Sequence, residues 1–326
     1  MAMRLVLKGK GQLAVEEVLP PAVAAPGEVV LRVLCCGICL TDARMWREGH
    51  RDLVLPRVPG HEIAAVDPLT DQLYTVWPGE VCGSCPACLA GRENLCEKML
   101  IIGFHRDGGL AAEVVVPRQC LIPVADGLDP LLVTFAEPVA CLLNPLPRLA
   151  PVETEHALVI GGGVLGMLAA LVLREEGCRV TVLESSAAKM ARQQPLAEAA
   201  GVELLQTTNR ADFDLAITCC ASPAGFAGAV GKLRKGGRLA FFSGLEKNRE
   251  IDGNLLNLIH YRELTVVGSY GPRRGEMATA LAFCRRNQHH LGRLIDRLLA
   301  PKEVAEVLPQ ILAGQTLKFI MGTEFA

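Results

Sequence analysis

Net charge, aromatic side chains and long apolar stretches are all scarce in this chain. Its 326 residues set 33 Lys and Arg against 35 Asp and Glu, a formal net charge of −2, so it has no basic excess of the kind that binds nucleic-acid phosphates. Half of the residues are apolar and only 21% are charged, which excludes a disordered polyelectrolyte. No apolar run free of charges and clustered glycines reaches the ~18 residues of a spanning helix. The nearest is "HALVIGGGVLGMLAALVL" at 156–173. The first residues, "MAMRLVLKGKGQ", lack an apolar core followed by small cleavage-site residues, so they do not read as a signal peptide. The expectation is a cytoplasmic chain with neither a membrane nor a nucleic-acid partner, and with a small molecule as its ligand. The length allows about two domains, each able to bury a core without staples.

Cysteine is in excess, at thirteen residues. In a reducing compartment, clustered cysteines are more often metal ligands than disulfides. Four fall in "EVCGSCPACLAGRENLCEK": Cys82, Cys85, Cys88 and Cys96, spaced C-x2-C-x2-C-x7-C. Two-residue gaps make the tight turn that thiolates need to close a tetrahedron, and four sulfurs leave no position for water, which points to a structural zinc. A nucleic-acid zinc ribbon would show two C-x2-C pairs far apart. Iron–sulfur ligation is the alternative, but the seven-residue gap and the lack of a proline after Cys96 do not match the common ferredoxin run.

The apolar pattern divides the chain in three. Residues 1–145 carry short valine-rich segments such as "EVVLRVLCCG" and "LAAEVVVP" between glycines and prolines, the mark of a β-barrel-like unit. Residues 146–269 alternate strand and helix: "HALVIGGG", "VLGMLAALVLREEG", "CRVTVLES", "AKMARQQPLAEAAG", "DLAITCC", "PAGFAGAVGKLRKGG", "RLAFFSG" and "LTVVGSYG". That is a doubly wound parallel sheet. Residues 270–326 read as two amphipathic helices, "GEMATALAFCRRNQHH" and "PKEVAEVLPQILAG", and a last strand "LKFIMGTEF". The fold class is thus α/β with a β-barrel.

In "VIGGGVLG", Gly161, Gly163 and Gly166 form G-x-G-x-x-G around Val164 and Leu165, after a β-branched strand and at the start of a helix. In that context the motif signals a dinucleotide whose pyrophosphate sits at the helix amino end. Glu184, 23 residues after Gly161, ends the next strand, where a carboxylate accepts hydrogen bonds from the ribose hydroxyls and repels a 2′-phosphate. NAD is therefore favoured over NADP. A second, dispersed set comes from "CCGICLTD", "PGHEIA" and "FAEPVAC": Cys39, His61 and Glu137 offer a thiolate, an imidazole and a carboxylate, the open three-ligand set of a catalytic zinc. Thr41, on the same strand or turn as Cys39, places a hydroxyl beside the free position. Asp42 is expected to take the second ring N–H of His61.

These segments, together with "DGGLAAEVVVP", "LRKGGRLAFFSG" and "IHYRELTVVGSYG", occur in one order through nearly the whole chain. In that order they resemble the zinc-dependent medium-chain alcohol dehydrogenases, on the sorbitol and threonine dehydrogenase branch. The resemblance implies a GroES-like catalytic domain, 1–145 completed by 270–326, with a Rossmann domain at 146–269. It implies a catalytic zinc on Cys39, His61 and either Glu62 or Glu137, with Thr41 in the proton path, and a structural zinc on the four lobe cysteines, about two zinc ions per chain. It further implies NAD-linked hydride transfer to or from a secondary alcohol such as a polyol, sugar alcohol or hydroxy acid, by a homodimer or homotetramer. Other readings are a nicotinamide-binding relative with a sensor or structural role, and a metal-free quinone-reductase-like enzyme, which would lack the cysteine lobe.

The sequence departs from the family at several points. Arg44 stands where a proton-relaying histidine is common, and a guanidinium cannot relay a proton in the same way. Leu40 replaces a glycine, Met45 and Trp46 bring apolar bulk toward the metal, and the interval from His61 to Cys82 is short, with "YTVWPG" in place of the usual strand. Of the residues without an assigned role, Cys35, Cys36, Cys141, Cys219 and Cys220 read as small buried apolar residues. His289 and His290 read as solvated at a helix end. Arg273 and Arg274 read either as a solvated face or as ligands for an anionic substrate group.

Overall fold

The computed structural model describes residues 2–19, 24–245 and 250–323. The chain divides into two compact units, Met1–Ala140 with Pro272–Ala326, and Cys141–Gly271.

In the first unit β1 (Ala2–Gly9) and β2 (Gln12–Val18) form an antiparallel hairpin. β3 (Glu28–Gly37) shows the period of two that makes a half-buried strand: Val29, Leu31 and Val33 are buried, while Val30 and Arg32 between them are not. After it come α1 (Leu40–Glu48), β4 (Glu62–Val66), β5 (Leu73–Val76), the short β6 (Gly79–Glu80), α2 (Pro86–Leu89), β7 (Leu100–Ile101), β8 (Glu113–Pro117), β9 (Leu121–Pro123), α3 (Pro130–Val133) and α4 (Ala136–Leu143).

The second unit runs α5 (Leu146–Leu149), β10 (His156–Ile160), α6 (Val164–Glu175), β11 (Arg179–Leu183), α7 (Ala187–Ala200), β12 (Glu203–Leu205), β13 (Phe213–Thr218), α8 (Pro223–Lys232), β14 (Leu233–Phe241), α9 (Gly253–Tyr261) and β15 (Thr265–Gly268). Its six strands are all parallel, in the order β12-β11-β10-β13-β14-β15. β10 is fully buried along its length, as a strand covered on both faces must be. The order reverses beside β10, so the turn after its carboxyl end lies at the switch point where α/β sheets bind ligands.

The chain returns to the first unit through α10 (Arg274–Arg286), α11 (Gln288–Leu291), β16 (Ile295–Leu299), α12 (Val304–Leu312) and β17 (Lys318–Gly322). β17 pairs antiparallel with β3, giving the sheet order β16-β17-β3-β4-β5-β9, with β8 also on β3. Val304, Val307 and Leu308 of α12 enter the same core as Leu31, Val33, Ile63 and Val116.

Some local expectations change. The helix expected over 223–237 ends at Lys232, and Leu233 begins β14, fully buried opposite Phe213. Glycines at 236 and 237 disfavour a helix by about 1 kcal/mol each, and the sheet wins. Residues 295–299, "IDRLL", had no assignment and form a strand parallel to β17. The expected last strand over 317–325 ends at Gly322, and 324–325 lie outside the described residues. His290 is buried, not solvated, because α11 is a separate turn after Asn287 that points this ring inward against His289. Cys35 and Cys36 are buried, but Cys141, Cys219 and Cys220 are only partly so.

Candidate active site and zinc centres

The chain leaves β3 at Gly37 and enters α1 at Cys39, the N-cap residue. Thr41, expected on a strand or turn, therefore lies in the first turn of a helix and is half-buried, while Arg44 faces solvent. Asp42 stands at ion-pair distance from His61 but does not accept the expected hydrogen bond from it. Its two oxygens accept the backbone N–H groups of Cys39 at 2.9 Å and of Gly60 at 3.2 Å. The His61 Nδ1 is 3.6 Å from Asp42 and has no hydrogen-bond partner. Asp42 thus fixes the two turns that carry Cys39 and His61 instead of the imidazole itself. One donor atom from each of Cys39, His61 and Glu62 lies within 4.8 Å of the others. Glu137, buried in the first turn of α4, is outside that set, although its charge acts on His61 and on Lys318.

Lys318 was missed in the sequence. It is buried on β17 and forms an ion pair with Glu62, also buried. Its signal was there: a lone charge in the apolar run "LKFIMG". Burial works against the Lys318 ammonium, but Glu62, Cys39 and Glu137 outweigh it and hold its pKa above the usual lysine range. Burial likewise opposes a charged His61, yet Asp42, Cys39 and Glu137 raise its pKa well above the ordinary histidine value. Anionic groups gathered around an imidazole also favour a dication on the same donors. Thiolate, imidazole and carboxylate are borderline-soft ligands that suit zinc, so the residues fit that metal. Phe104 packs 5.5 Å from the His61 ring and belongs to a buried cluster with Met45 and Leu7, against which Trp46 rests.

The four lobe sulfurs also lie within 4.8 Å of one another. Cys85 to Cys88 is 3.5 Å and Cys96 to Cys82 is 3.6 Å, near the ~3.8 Å edge of a tetrahedron with Zn–S bonds of about 2.3 Å. Backbone N–H groups point at the sulfurs: Cys85 donates to Cys82, and Cys82 and Lys98 donate to Cys96, each at 3.4 Å. Hydrogen bonds from the Ser84 and Cys85 amides lower the Cys82 pKa to about 6, the thiolate form that a metal needs. The set fits a closed zinc site. Nearby, Arg274 spends its guanidinium on the carbonyls of Gln119 and Leu121, and Arg273 pairs with Glu276. The anion-binding reading of this arginine pair therefore falls.

At the end of β10, Gly161 adopts φ +102°, and Gly163 caps α6 with no side chain. A Cβ on Gly166 would sit 1.7 Å from the Gly161 carbonyl oxygen, whereas one on Gly163 would meet open space. Gly161, Gly163, Val164 and Leu165 stay partly exposed, leaving first-turn N–H groups free for a phosphate. Glu184 is buried, and its carboxylate accepts the Gly162 N–H at 2.9 Å and the Ser186 N–H at 2.8 Å. It braces the glycine turn and keeps a negative charge beside it. The arrangement fits a dinucleotide. Gly166→Ala should drive a methyl group into that carbonyl and cost at least about 2 kcal/mol of stability, with dinucleotide affinity falling about ten-fold or more. Thermal denaturation and fluorescence titration with NADH would show it.

Two family models match the chain: the alcohol dehydrogenase GroES-like domain over residues 25–126 and the zinc-binding dehydrogenase domain over residues 164–286. Together they cover more than half of it. The chain belongs to the zinc-dependent medium-chain dehydrogenases. It is an oxidoreductase of that family, an enzyme of alcohol oxidoreduction with a nicotinamide cofactor. Among its relatives, D-altritol 5-dehydrogenase of Agrobacterium fabrum is 28% identical over 342 residues, covering 100% of this chain and 99% of the relative. L-galactonate-5-dehydrogenase of Escherichia coli is 36% identical over 171 residues, half of each chain. A Sinorhizobium meliloti protein described as a zinc-binding dehydrogenase, solved with NADP, superposes with a TM-score of 0.90 at 26% identity over 99% of both chains. This dehydrogenase therefore shares both halves of its fold with relatives that differ in substrate.

Proposed function

We propose that this dehydrogenase oxidises a secondary hydroxyl of a polyol or sugar acid, or reduces the matching ketone, with NAD as hydride carrier. The observation that carries the reading is the cluster of half-buried Cys39 with buried His61 and Glu62 in a chain that also has an intact glycine turn. Zinc held by Cys39, His61 and a carboxylate supplies a Lewis acid that lowers the pKa of a substrate hydroxyl toward neutrality. Thr41, two residues along from Cys39 in the first turn of α1, takes the hydroxyl proton and hands it to water. Arg44, exposed and permanently charged, does not relay it. Asp42 keeps the Cys39 and Gly60 turns in register, and the Phe104 and Met45 cluster walls one side of the imidazole from water.

The backbone N–H groups at the start of α6 bind the pyrophosphate, and the Glu184 charge disfavours a 2′-phosphate. The Sinorhizobium relative was solved with NADP, so this choice rests on the residues of the present chain. Retention of the Cys39 cluster and of Thr41 favours no reading without chemistry. Among the described residues no disulfide joins any of the thirteen cysteines, which suits a reducing cytosol, and we extend the proposal to a cytosolic homodimer or homotetramer.

The test is cofactor reduction across polyols, sugar acids, simple secondary alcohols and β-hydroxy amino acids, with NADP as control. The expected result is activity on at least one polyol or sugar acid, with kcat/KM for NAD at least about ten-fold above NADP. Silence across the panel in zinc-replete enzyme, or a clear NADP preference, would overturn the corresponding part.

A further inference from the structure

Helix α1 starts at Cys39 and buries Asp42, Ala43 and Met45, which leaves Leu40, Arg44, Arg47 and Glu48 on its outer face, with Thr41 at the border. Arg47 has a local reason to be cationic, since it lies in the last turn, at the negative end of the helix dipole. Arg44 has none. It sits in mid-helix, beyond the reach of either end of the dipole, and Glu48 is placed one turn on to pair with it. Among the described residues Arg44 nevertheless makes no hydrogen bond and no ion pair. Its neighbours on the helix surface are Leu40 and Thr41, because residues three and four apart bring their Cβ atoms to about 5–6 Å. Helical side chains lean toward the amino end, so Arg44 extends over the turn that begins at Cys39, one of the three clustered metal donors. This turn thus presents a metal donor, the Thr41 hydroxyl, the apolar Leu40 at 41% exposure and an unpaired guanidinium. A substrate whose hydroxyl reacts beside Thr41 can lay its carbon chain along Leu40 and reach Arg44 with its far end. A guanidinium is never neutral, and its planar fork of N–H groups matches a carboxylate.

We propose that Arg44 is a specificity-determining residue: its guanidinium binds the carboxylate of the substrate, so that this dehydrogenase prefers sugar acids to neutral polyols. The inference rests on the reading that a secondary hydroxyl reacts at the Cys39, His61 and Glu62 centre, and it chooses between the two substrate classes that this reading allows. The carboxylate takes no part in hydride transfer, so Arg44 holds it equally in the ground state and the transition state. Such uniform binding appears in KM and leaves kcat alone. A role in holding α1 together would instead touch both substrate classes alike.

The experiment compares zinc-replete wild type with Arg44→Met and Arg44→Lys on gluconate, galactonate and mannonate, and on glucitol, galactitol and mannitol, the neutral polyols of the same carbon skeletons. In wild type the best sugar acid should exceed its polyol in kcat/KM at least about ten-fold. Arg44→Met should raise KM for that sugar acid at least about ten-fold with kcat within about three-fold of wild type, while KM for NAD and for any polyol moves less than about two-fold. Arg44→Lys, which keeps the charge and loses the fork, should fall between the two. Arg44 has no partner to lose, so both variants should melt with the wild type. An unchanged KM for the sugar acid in Arg44→Met overturns the proposal, as does a loss shared by polyols or by NAD, or a wild type that takes the polyol as well as its sugar acid. Better turnover of glucitol 6-phosphate than of gluconate would give the guanidinium a phosphate and overturn the carboxylate. Silence on sugar acids and polyols alike sinks the reading of the centre itself, a separate outcome.

Discussion

Cys39→Ala is expected to lower kcat/KM for the best alcohol by at least about 10³-fold and to leave about one zinc per chain where wild type holds about two. The size follows from what the metal does. Moving a substrate hydroxyl's pKa toward neutrality lowers the barrier by several kcal/mol, and about 4 kcal/mol is a factor near 10³. Without the thiolate, the imidazole and one carboxylate already paired with Lys318 make a weak two-ligand site. The fold should be indifferent. The cysteine at the α1 N-cap is held through its backbone N–H to Asp42, which alanine keeps, so the melting temperature should move by a few degrees at most. Metal analysis and steady-state kinetics on the same preparation decide it. Full activity, or an unchanged two zinc ions, would remove Cys39 from the centre.

Where a signal was local and repeated, the sequence was enough. β10 and β11 are short apolar runs, fully or largely buried, and Gly161 and Gly166 after β10 sit where backbone sterics allow little else, so the parallel sheet and its glycine turn could be read directly. The cysteine lobe was legible for the same reason, since its ligands are neighbours in the chain. What failed depended on competition or distance. "LRKGG" is compatible with a helix end until Leu233 is seen buried against Phe213. β16 carries Asp296 and Arg297, and only its pairing with β17 makes it a strand. Asp42 stands at ion-pair distance from His61, 3.6 Å, but its hydrogen bonds go to backbone N–H groups, because which donors reach a carboxylate depends on backbone turns that composition does not encode. Lys318 joins Glu62 only after the whole first unit has closed.

Removing the lobe metal should open residues 82–96 to protease while the barrel core stays folded. The reason lies in how little apolar surface the lobe buries. Helix α2 has no buried residue, and Leu89 is 76% exposed. The buried residues of the segment are Cys85, Asn94 and Cys96, two of which belong to the four-sulfur set that fits zinc. None belongs to the core around Leu31, Val33 and Ile63. Ties between the lobe and the rest of its unit include the two-residue pairing of β6 with β7, the Arg106 ion pair to Glu80 and the Arg274 N–H to Glu93, all polar and without an apolar core behind them. Metal binding is then the local folding energy. Cys88→Ser should therefore lose about one zinc per chain, and trypsin should cut after the exposed Arg92 or Lys98 at least about 10²-fold faster than in wild type. The main thermal transition should fall by only a few degrees, because the barrel buries its own core. If the variant keeps wild-type protease resistance, the lobe holds itself together without metal. If the barrel unfolds along with the lobe, the four sulfurs hold the domain and not a loop.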